Sequence, residues 1–136
     1  MKIKARLSAI FLLLTLCSGV SLAHEAHCKD TPLGATMADM KKPYKALRKA
    51  VREGDEASYQ QLANELLTQS KEARDQRPLL VSEKQRKMAN YQKEMDKLIS
   101  LLEQLSQSPA ESAQGLLDQI QQLRKQGHKK FRKDCD

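Results

Sequence analysis

Mainly apolar side chains recur at steps of three or four residues in four successive segments of this 136-residue chain, and that spacing marks one face of a helix. The third segment shows it most clearly, with Met88, Tyr91, Met95, Leu98, Leu102 and Leu105. No segment alternates as a strand does, and five Phe and Tyr residues are too few for a typical β-sandwich or barrel. The pattern predicts an all-α fold.

Proline and glycine divide the pattern into four predicted helices. Thr31-Pro32 is typical of a helix start, and Gly54-Asp55 is typical of a helix end followed by the cap of the next helix. The second helix is predicted to end before Pro78, and Ser108–Glu111 predicts a capping box for the fourth. Pro43 falls inside the first helix, so we expect a kink or a restart there. Four such helices with short connections predict an up-down-up-down antiparallel bundle.

The first 23 residues read as a cleaved secretory signal peptide. Basic residues precede an apolar run, and small residues lead to a predicted cut after Ala23. The run is too short for a permanent membrane span. Cys17 opens the alternative of a lipoprotein signal, which the bulky Leu16 before it disfavours. Residues 24–136 are therefore predicted to form one exported bundle domain without a membrane span.

Cleavage leaves two cysteines, Cys28 and Cys135, near opposite ends of the mature chain. In an oxidising compartment such a pair predicts a disulfide, worth about 4–5 kcal/mol in the chain-entropy model for a loop of this length. An even number of antiparallel helices brings both ends of the chain together, so the disulfide and the bundle support each other. Two free thiols or an intermolecular bridge are the alternatives.

Residues 24–136 contain 21 basic and 17 acidic side chains, a net charge of +4. The excess is modest, and few aromatics accompany it, which argues against a nucleic-acid-binding protein. The sequence has no nucleophile–base pair, no glycine-rich phosphate loop and no paired carboxylates that would indicate an enzyme. Acidic residues such as Glu94 and Asp96 are predicted to lie on exposed helix faces.

Met37 and His128 are predicted to lie at the same depth of the bundle. Met37 follows Cys28 by nine residues and His128 precedes Cys135 by seven, which correspond to helical rises of about 13 Å and 10 Å. A thioether and an imidazole that face each other are a ligand set of six-coordinate haem iron. Met40, one turn higher, is the rival thioether. Core packing for the methionine and a helix-end role for the histidine are the simpler alternatives.

The stretch Leu33–Met40 and the ending Gln122–Arg132 resemble the soluble periplasmic cytochrome b562 family. The resemblance covers the mature chain as a helix pattern and is close at its two ends. It implies a periplasmic electron-transfer protein that binds one haem b between the first and last helices. The implied axial ligands are Met37 and His128, with Arg124 near the haem and Tyr91 as a core aromatic against it.

Covalent haem attachment requires Cys-x-x-Cys-His, which this sequence lacks, so the implied haem is non-covalent. Arg124 is expected to pair with a haem propionate, with a solvated surface arginine as the alternative. With both axial positions filled, the implied role is to pass electrons rather than to catalyse a reaction. The positive charge favours an acidic redox partner for a protein expected to be a monomer.

Two other functions stay open at this point. A haem-free helical bundle that acts as a periplasmic interaction or chaperone-like protein would have nearly the same sequence pattern, and Pro43 makes this alternative serious. A copper or zinc site formed by His24, His27 and Cys28 is the other, although the segment precedes the first helix and is more typical of a disordered tail.

Overall fold

The computed structural model describes residues 31–78 and 85–131, and helices are the only regular secondary structure in these ranges. The five helical segments are α1 (Pro32–Asp39), α2 (Lys41–Glu53), α3 (Glu56–Arg74), α4 (Gln85–Leu105) and α5 (Ala110–Phe131). This confirms the all-α prediction. The predicted signal peptide, the histidines before the first helix and both cysteines of the predicted disulfide lie outside the described residues.

The predicted helix boundaries near the start of the chain are confirmed. The Thr31 side chain accepts a hydrogen bond from the Gly34 N–H at 3.0 Å, and Pro32 is the first helical residue of α1. Gly54 ends α2 with a φ of 66°, a left-handed conformation that glycine adopts without steric cost. The Asp55 carboxylate then caps α3 by accepting from the Ser58 N–H at 3.2 Å.

The expected restart of the first helix occurs at Met40, the single residue between α1 and α2. Pro43 is the third residue of α2, and because it has no N–H it cannot donate to the carbonyl one turn earlier, at Asp39. Hydrogen bonds continue on both sides of this point. The Met40 N–H donates to Thr36 at 3.1 Å, and the Tyr44 N–H donates to Met40 at 3.0 Å.

The capping box predicted for the last helix is wrong. The Ser108 hydroxyl donates to the Leu105 carbonyl at 3.1 Å, so it closes the end of α4 instead of capping the start of α5. The Ser108 carbonyl in turn accepts from the buried Tyr59 hydroxyl at 2.6 Å. Ser108 therefore connects the turn between α4 and α5 to the start of α3.

Two apolar clusters form the core. The larger one is built from α2, α3, α4 and α5 and has Leu47, Tyr59, Leu102, Leu105, Leu117 and Ile120 among its buried side chains. The smaller one buries Leu33, Ala73, Tyr91 and Met95. The most extensive packing joins α3 to α4, α2 to α3 and α4 to α5, and smaller contacts join α2 to α5 and α1 to both α2 and α3. The helices are thus arranged as a bundle.

Contacts between α3 and α4 fall in opposite order along the two helices. Lys71 pairs with Glu103 at 3.4 Å, and the Tyr91 hydroxyl donates to the Ala73 carbonyl at 2.5 Å. None of the helices in the described part of the chain is both long and apolar enough to cross a membrane.

Candidate functional site

Met37, the methionine that the sequence favours as a ligand, lies half-buried at the edge of the smaller cluster. Its helix, α1, has only Leu33 and Thr36 fully buried. The other partly buried side chains around this cluster are Met88, Leu98 and Phe131. Met37 is therefore part of an apolar wall that the protein's own side chains cover only in part.

Met40, the rival thioether, belongs to the other cluster. It packs against the larger core and is also the residue at which α1 gives way to α2. The two methionines are three residues apart, yet they contact different groups of side chains. Periodicity alone places both on nearly the same face, so this separation was not visible in the sequence.

His128 lies half-buried in the last turns of α5. The apolar line of that helix is fully buried at Ala113, Leu117 and Ile120, whereas its continuation toward His128 contains no fully buried side chain. The end of α5 that carries His128 is therefore only partly covered, as is the part of α1 that carries Met37.

Phe131 links the end of α5 to the smaller cluster. Its ring meets that of Tyr91 edge to face, with 5.5 Å between the ring centroids and 76° between the planes. Phe131 follows His128 by three residues, which is close to one helical turn. The histidine-bearing turn is thus anchored to the same cluster that contains Met37.

Tyr91, which the sequence predicts to be a core aromatic, is 4% exposed. Its hydroxyl donates to the Ala73 carbonyl, and burial, together with the nearby negative charge of Asp75, raises the pKa of the phenol. The side chain therefore stays neutral at physiological pH. It presents an apolar ring beside Phe131 and fixes α4 to the end of α3.

Arg124 is exposed on α5, and its guanidinium lies over the ring of Tyr44 from α2, 5.2 Å from the centroid. This is a cation–π contact. The Tyr44 hydroxyl is buried, and its proton has no acceptor among the described residues. Burial raises the pKa of Tyr44, and the positive charges of Arg124 and Arg48, with the Arg124 guanidinium also close enough to act as a donor to the phenol oxygen, partly offset that increase. Sequence reasoning missed Tyr44 because no spacing rule relates α2 to α5.

The prediction that Glu94 lies on an exposed face is wrong. Its side chain is only 17% exposed and pairs with Lys97 at 3.3 Å and Lys130 at 3.6 Å, so it connects α4 to the end of α5. Asp96 is exposed as expected, but it accepts hydrogen bonds from Arg74, which hold the pKa of its carboxyl below the ordinary value.

The side chains at this end of the bundle fit a haem. A thioether and an imidazole come from α1 and α5, both half-buried, and Tyr91, Phe131 and Met88 supply an apolar wall suited to a porphyrin face. The buried Tyr44 hydroxyl, whose proton has no acceptor among the described residues, and the Arg124 guanidinium supply donors suited to a carboxylate. Within residues 31–78 and 85–131, no three His, Cys, Asp or Glu residues form a metal site of their own.

The fold is a helical bundle whose first and last described helices carry a half-buried thioether and a half-buried imidazole, and both helices border a partly covered apolar cluster. The family model for cytochrome b562 matches residues 32–132, and the chain belongs to the cytochrome b562 family, whose members are haem-binding electron carriers. This confirms the resemblance read from the two ends of the sequence. Neither the comparison with curated proteins nor that with solved structures found a significant match.

Proposed function

We propose that this protein is a periplasmic electron carrier that holds one non-covalent haem b between α1 and α5, with Met37 and His128 as axial ligands. The observation that carries the proposal is the partition of the two methionines. Met37 shares a half-covered cluster with Phe131, one turn from His128, whereas Met40 packs into the larger core. The membership of the cytochrome b562 family supports the haem.

The same proposal includes an up-down-up-down topology. Contacts between α3 and α4 run in opposite order, as Lys71–Glu103 and Ala73–Tyr91 illustrate, and so do those between α4 and α5, as Tyr91–Phe131 and Glu94–Lys130 illustrate. Such a topology returns the end of α5 to the end where α1 begins. We therefore propose that Cys28 and Cys135, just outside these helices, form the predicted disulfide at that end.

Arg124 has the charge and the forked donors to bind a haem propionate, as the sequence predicts. Its position over Tyr44 adds a second donor, because the buried Tyr44 hydroxyl has a proton to offer and no protein acceptor among the described residues. We propose that the two side chains share the propionate. The tyrosine ring would hold the guanidinium in place, which lowers the entropy that Arg124 loses on binding.

When bound, haem b supplies a reversible one-electron couple, and a methionine–histidine ligand pair raises its potential relative to two histidines. Two protein ligands leave no iron position for a substrate, which is why the proposed role is transfer rather than catalysis. The residues of this chain then hold the ligand set in place. Tyr91 and Phe131 exclude water on one side, and the Phe131 contact fixes the turn that carries His128.

Haemin titration of the purified apoprotein tests the proposal. We expect a saturable one-to-one uptake and a reduced-minus-oxidised spectrum with sharp b-type bands. His128→Ala and Met37→Leu are expected to change that spectrum, because each removes an axial ligand. Met40→Leu is the matched control for the methionine, and Gln126→Ala, an exposed position on α5, is the control for the histidine. Far-ultraviolet circular dichroism checks that all four variants remain helical.

Other results would redirect the interpretation. If Met40→Leu perturbs the spectrum and Met37→Leu does not, the axial thioether has been assigned to the wrong residue. If the wild-type protein takes up no added haemin and shows no b-type bands, the chain is a haem-free bundle. The interaction or chaperone-like alternative then replaces the electron carrier.

A further inference from the structure

The positive charge of this protein is concentrated in α2. Six of its thirteen residues are Lys or Arg and one is acidic. Residues 24–136 contain 21 basic and 17 acidic side chains, so the part outside α2 has 15 basic against 16 acidic. Essentially the whole excess of the proposed mature chain therefore lies on one helix.

All six basic side chains of α2 are exposed, and they lie opposite its buried face. That buried face consists of Pro43, Leu47, Ala50 and Val51. Four of the basic residues follow the helical repeat along one line, which we call the basic stripe: Lys41, Lys45, Arg48 and Arg52. From its first to its last residue the stripe spans about 16 Å at the rise of an α-helix.

The stripe is not neutralised within the fold. Among the described residues, α2 forms one ion pair, the exposed contact between Lys49 and Glu53 at 3.9 Å, and neither residue belongs to the stripe. Elsewhere the protein pairs its charges across helices, as Lys71 with Glu103 and Lys130 with Glu94 show. Like charges three and four residues apart repel each other, so the stripe weakens its own helix. Solubility requires charged side chains on the surface, but it does not require that four of one sign lie in a line on one helix.

The surroundings of the stripe favour a compact acidic patch over a flat anionic surface. On one side α2 packs against α3, whose acidic residues Glu56, Glu65 and Glu72 outnumber its two basic ones, so the positive charge of α2 does not continue onto α3 as a broad basic face suited to a lipid bilayer would. On the other side α2 packs against α5, where Arg124 lies over Tyr44. The stripe thus adjoins the proposed haem site on that side only.

We propose that the basic stripe of α2 is the docking surface for an acidic protein that exchanges electrons with this one. The electron exchange rests on the proposed function, whereas the docking itself does not require haem. A stripe of two lysines and two arginines, with no aromatic residue among its four members, is suited to a weak, fast and salt-sensitive complex. That is the kind of complex an electron carrier needs, because it must release each partner after one transfer.

Binding to plant-type ferredoxin, a small acidic iron–sulfur protein used as a probe, tests the surface. Isothermal titration calorimetry would measure the dissociation constant for the full mature chain, with and without haemin, at low salt. We expect Lys41→Glu/Lys45→Glu to weaken binding by about tenfold or more, because two contacts become repulsive. The wild-type affinity should also fall at physiological salt, where the screening length shortens to about 8 Å.

The matched control is Lys87→Glu/Lys93→Glu, which makes the same change of net charge at two exposed positions of α4. It should leave the dissociation constant within about threefold of the wild-type value, since those residues lie away from the stripe. An equal loss in both double variants would show that net charge alone governs the binding and would overturn the proposal. A loss in the α4 variant alone would also overturn it, by moving the surface to α4.

Binding to vesicles of phosphatidylglycerol and phosphatidylcholine tests whether the stripe contacts a membrane instead of a protein. If the chain binds these vesicles through the stripe and does not bind ferredoxin, the surface is a membrane contact and the proposal fails. Absence of binding to either probe at low salt refutes it as well. If ferredoxin binds through α2 but haemin is not taken up, the docking surface stands and the proposed haem function fails.

Discussion

The contact between Tyr91 and Phe131 joins α4 to the turn of α5 that carries His128, and its strength can be measured. Replacing both rings with leucine keeps apolar volume in the cluster but removes the edge-to-face contact. The ring centroids are 5.5 Å apart with an interplanar angle of 76°, a favourable geometry for an aromatic pair. Such pairs contribute about 0.5–1.5 kcal/mol beyond the burial of their area. We therefore expect a coupling free energy of about 1 kcal/mol between the two substitutions.

The single substitutions should differ in cost. Tyr91→Leu also removes the hydrogen bond that the phenol donates to the Ala73 carbonyl. That carbonyl still accepts from the Gln76 N–H at 3.2 Å, so the lost bond should cost about 1 kcal/mol and not the larger penalty of an unsatisfied group. Phe131 is only half-buried, and Phe131→Leu should cost little beyond the aromatic contact. The expected order of destabilisation is Phe131→Leu, then Tyr91→Leu, then the double variant.

Urea unfolding of the apoprotein, followed by circular dichroism, measures all three free energies and gives the coupling. The control pairs Phe131→Leu with Tyr59→Leu, which changes a buried tyrosine of the larger cluster and should be additive within about 0.5 kcal/mol. The same variants should bind haemin more weakly if the ring contact positions the turn of His128. A Tyr91–Phe131 coupling no larger than that of the control pair would refute the role of this contact.

Three further outcomes follow from the described contacts. Gly54→Ala should destabilise the protein by about 1 kcal/mol in urea unfolding, because alanine is strained at a φ of 66° even though its Cβ would meet no atom within 4 Å. Tyr59→Phe should cost about 1 kcal/mol through the lost bond to Ser108, measured the same way. Arg74 lowers the pKa of Asp96, so the stability advantage of wild type over Asp96→Asn should be present at neutral pH and vanish as the pH falls through that lowered pKa, as acid titration of thermal unfolding would show.

Much of the fold follows from local physics that the sequence displays. The threonine–proline start of α1 and the glycine–aspartate junction between α2 and α3 are local signals, since each depends on residues within one turn. The buried stripe of α4, which includes Tyr91, Met95, Leu102 and Leu105, also matches the predicted face, because a repeat of three and four residues determines which side of a helix can be apolar. Pro43 likewise predicted the interruption that the structure has at Met40, because a proline inside a helix acts within one turn of its own position.

Other features depend on contacts between helices, and the spacing of residues along the sequence could not predict them. Ser108 has the sequence context of a cap, but the buried Tyr59 hydroxyl occupies its carbonyl, and its own hydroxyl closes α4 instead. Glu94 looks like a surface residue on its own helix, but its side chain is mostly covered and pairs with Lys130 from α5. The contact of Arg124 with Tyr44 likewise requires the packing of α2 against α5.

The break at Met40 connects the candidate haem site with the basic stripe. It divides the first helical region into α1, which carries Met37 and packs on α2 and α3, and α2, which packs on α3 and α5. A haem between Met37 and His128 would require a gap between α1 and α5. The other helices would then have to fix the positions of α1 and α5 relative to each other. In the described packing α2 contacts α5, and the Tyr44–Arg124 pair lies on that contact, whereas the main contacts of α1 are with α2 and α3. Under the proposed function, the restart at Pro43 would let one helical region bind the cofactor with its first part, while its second part carries the positive charge.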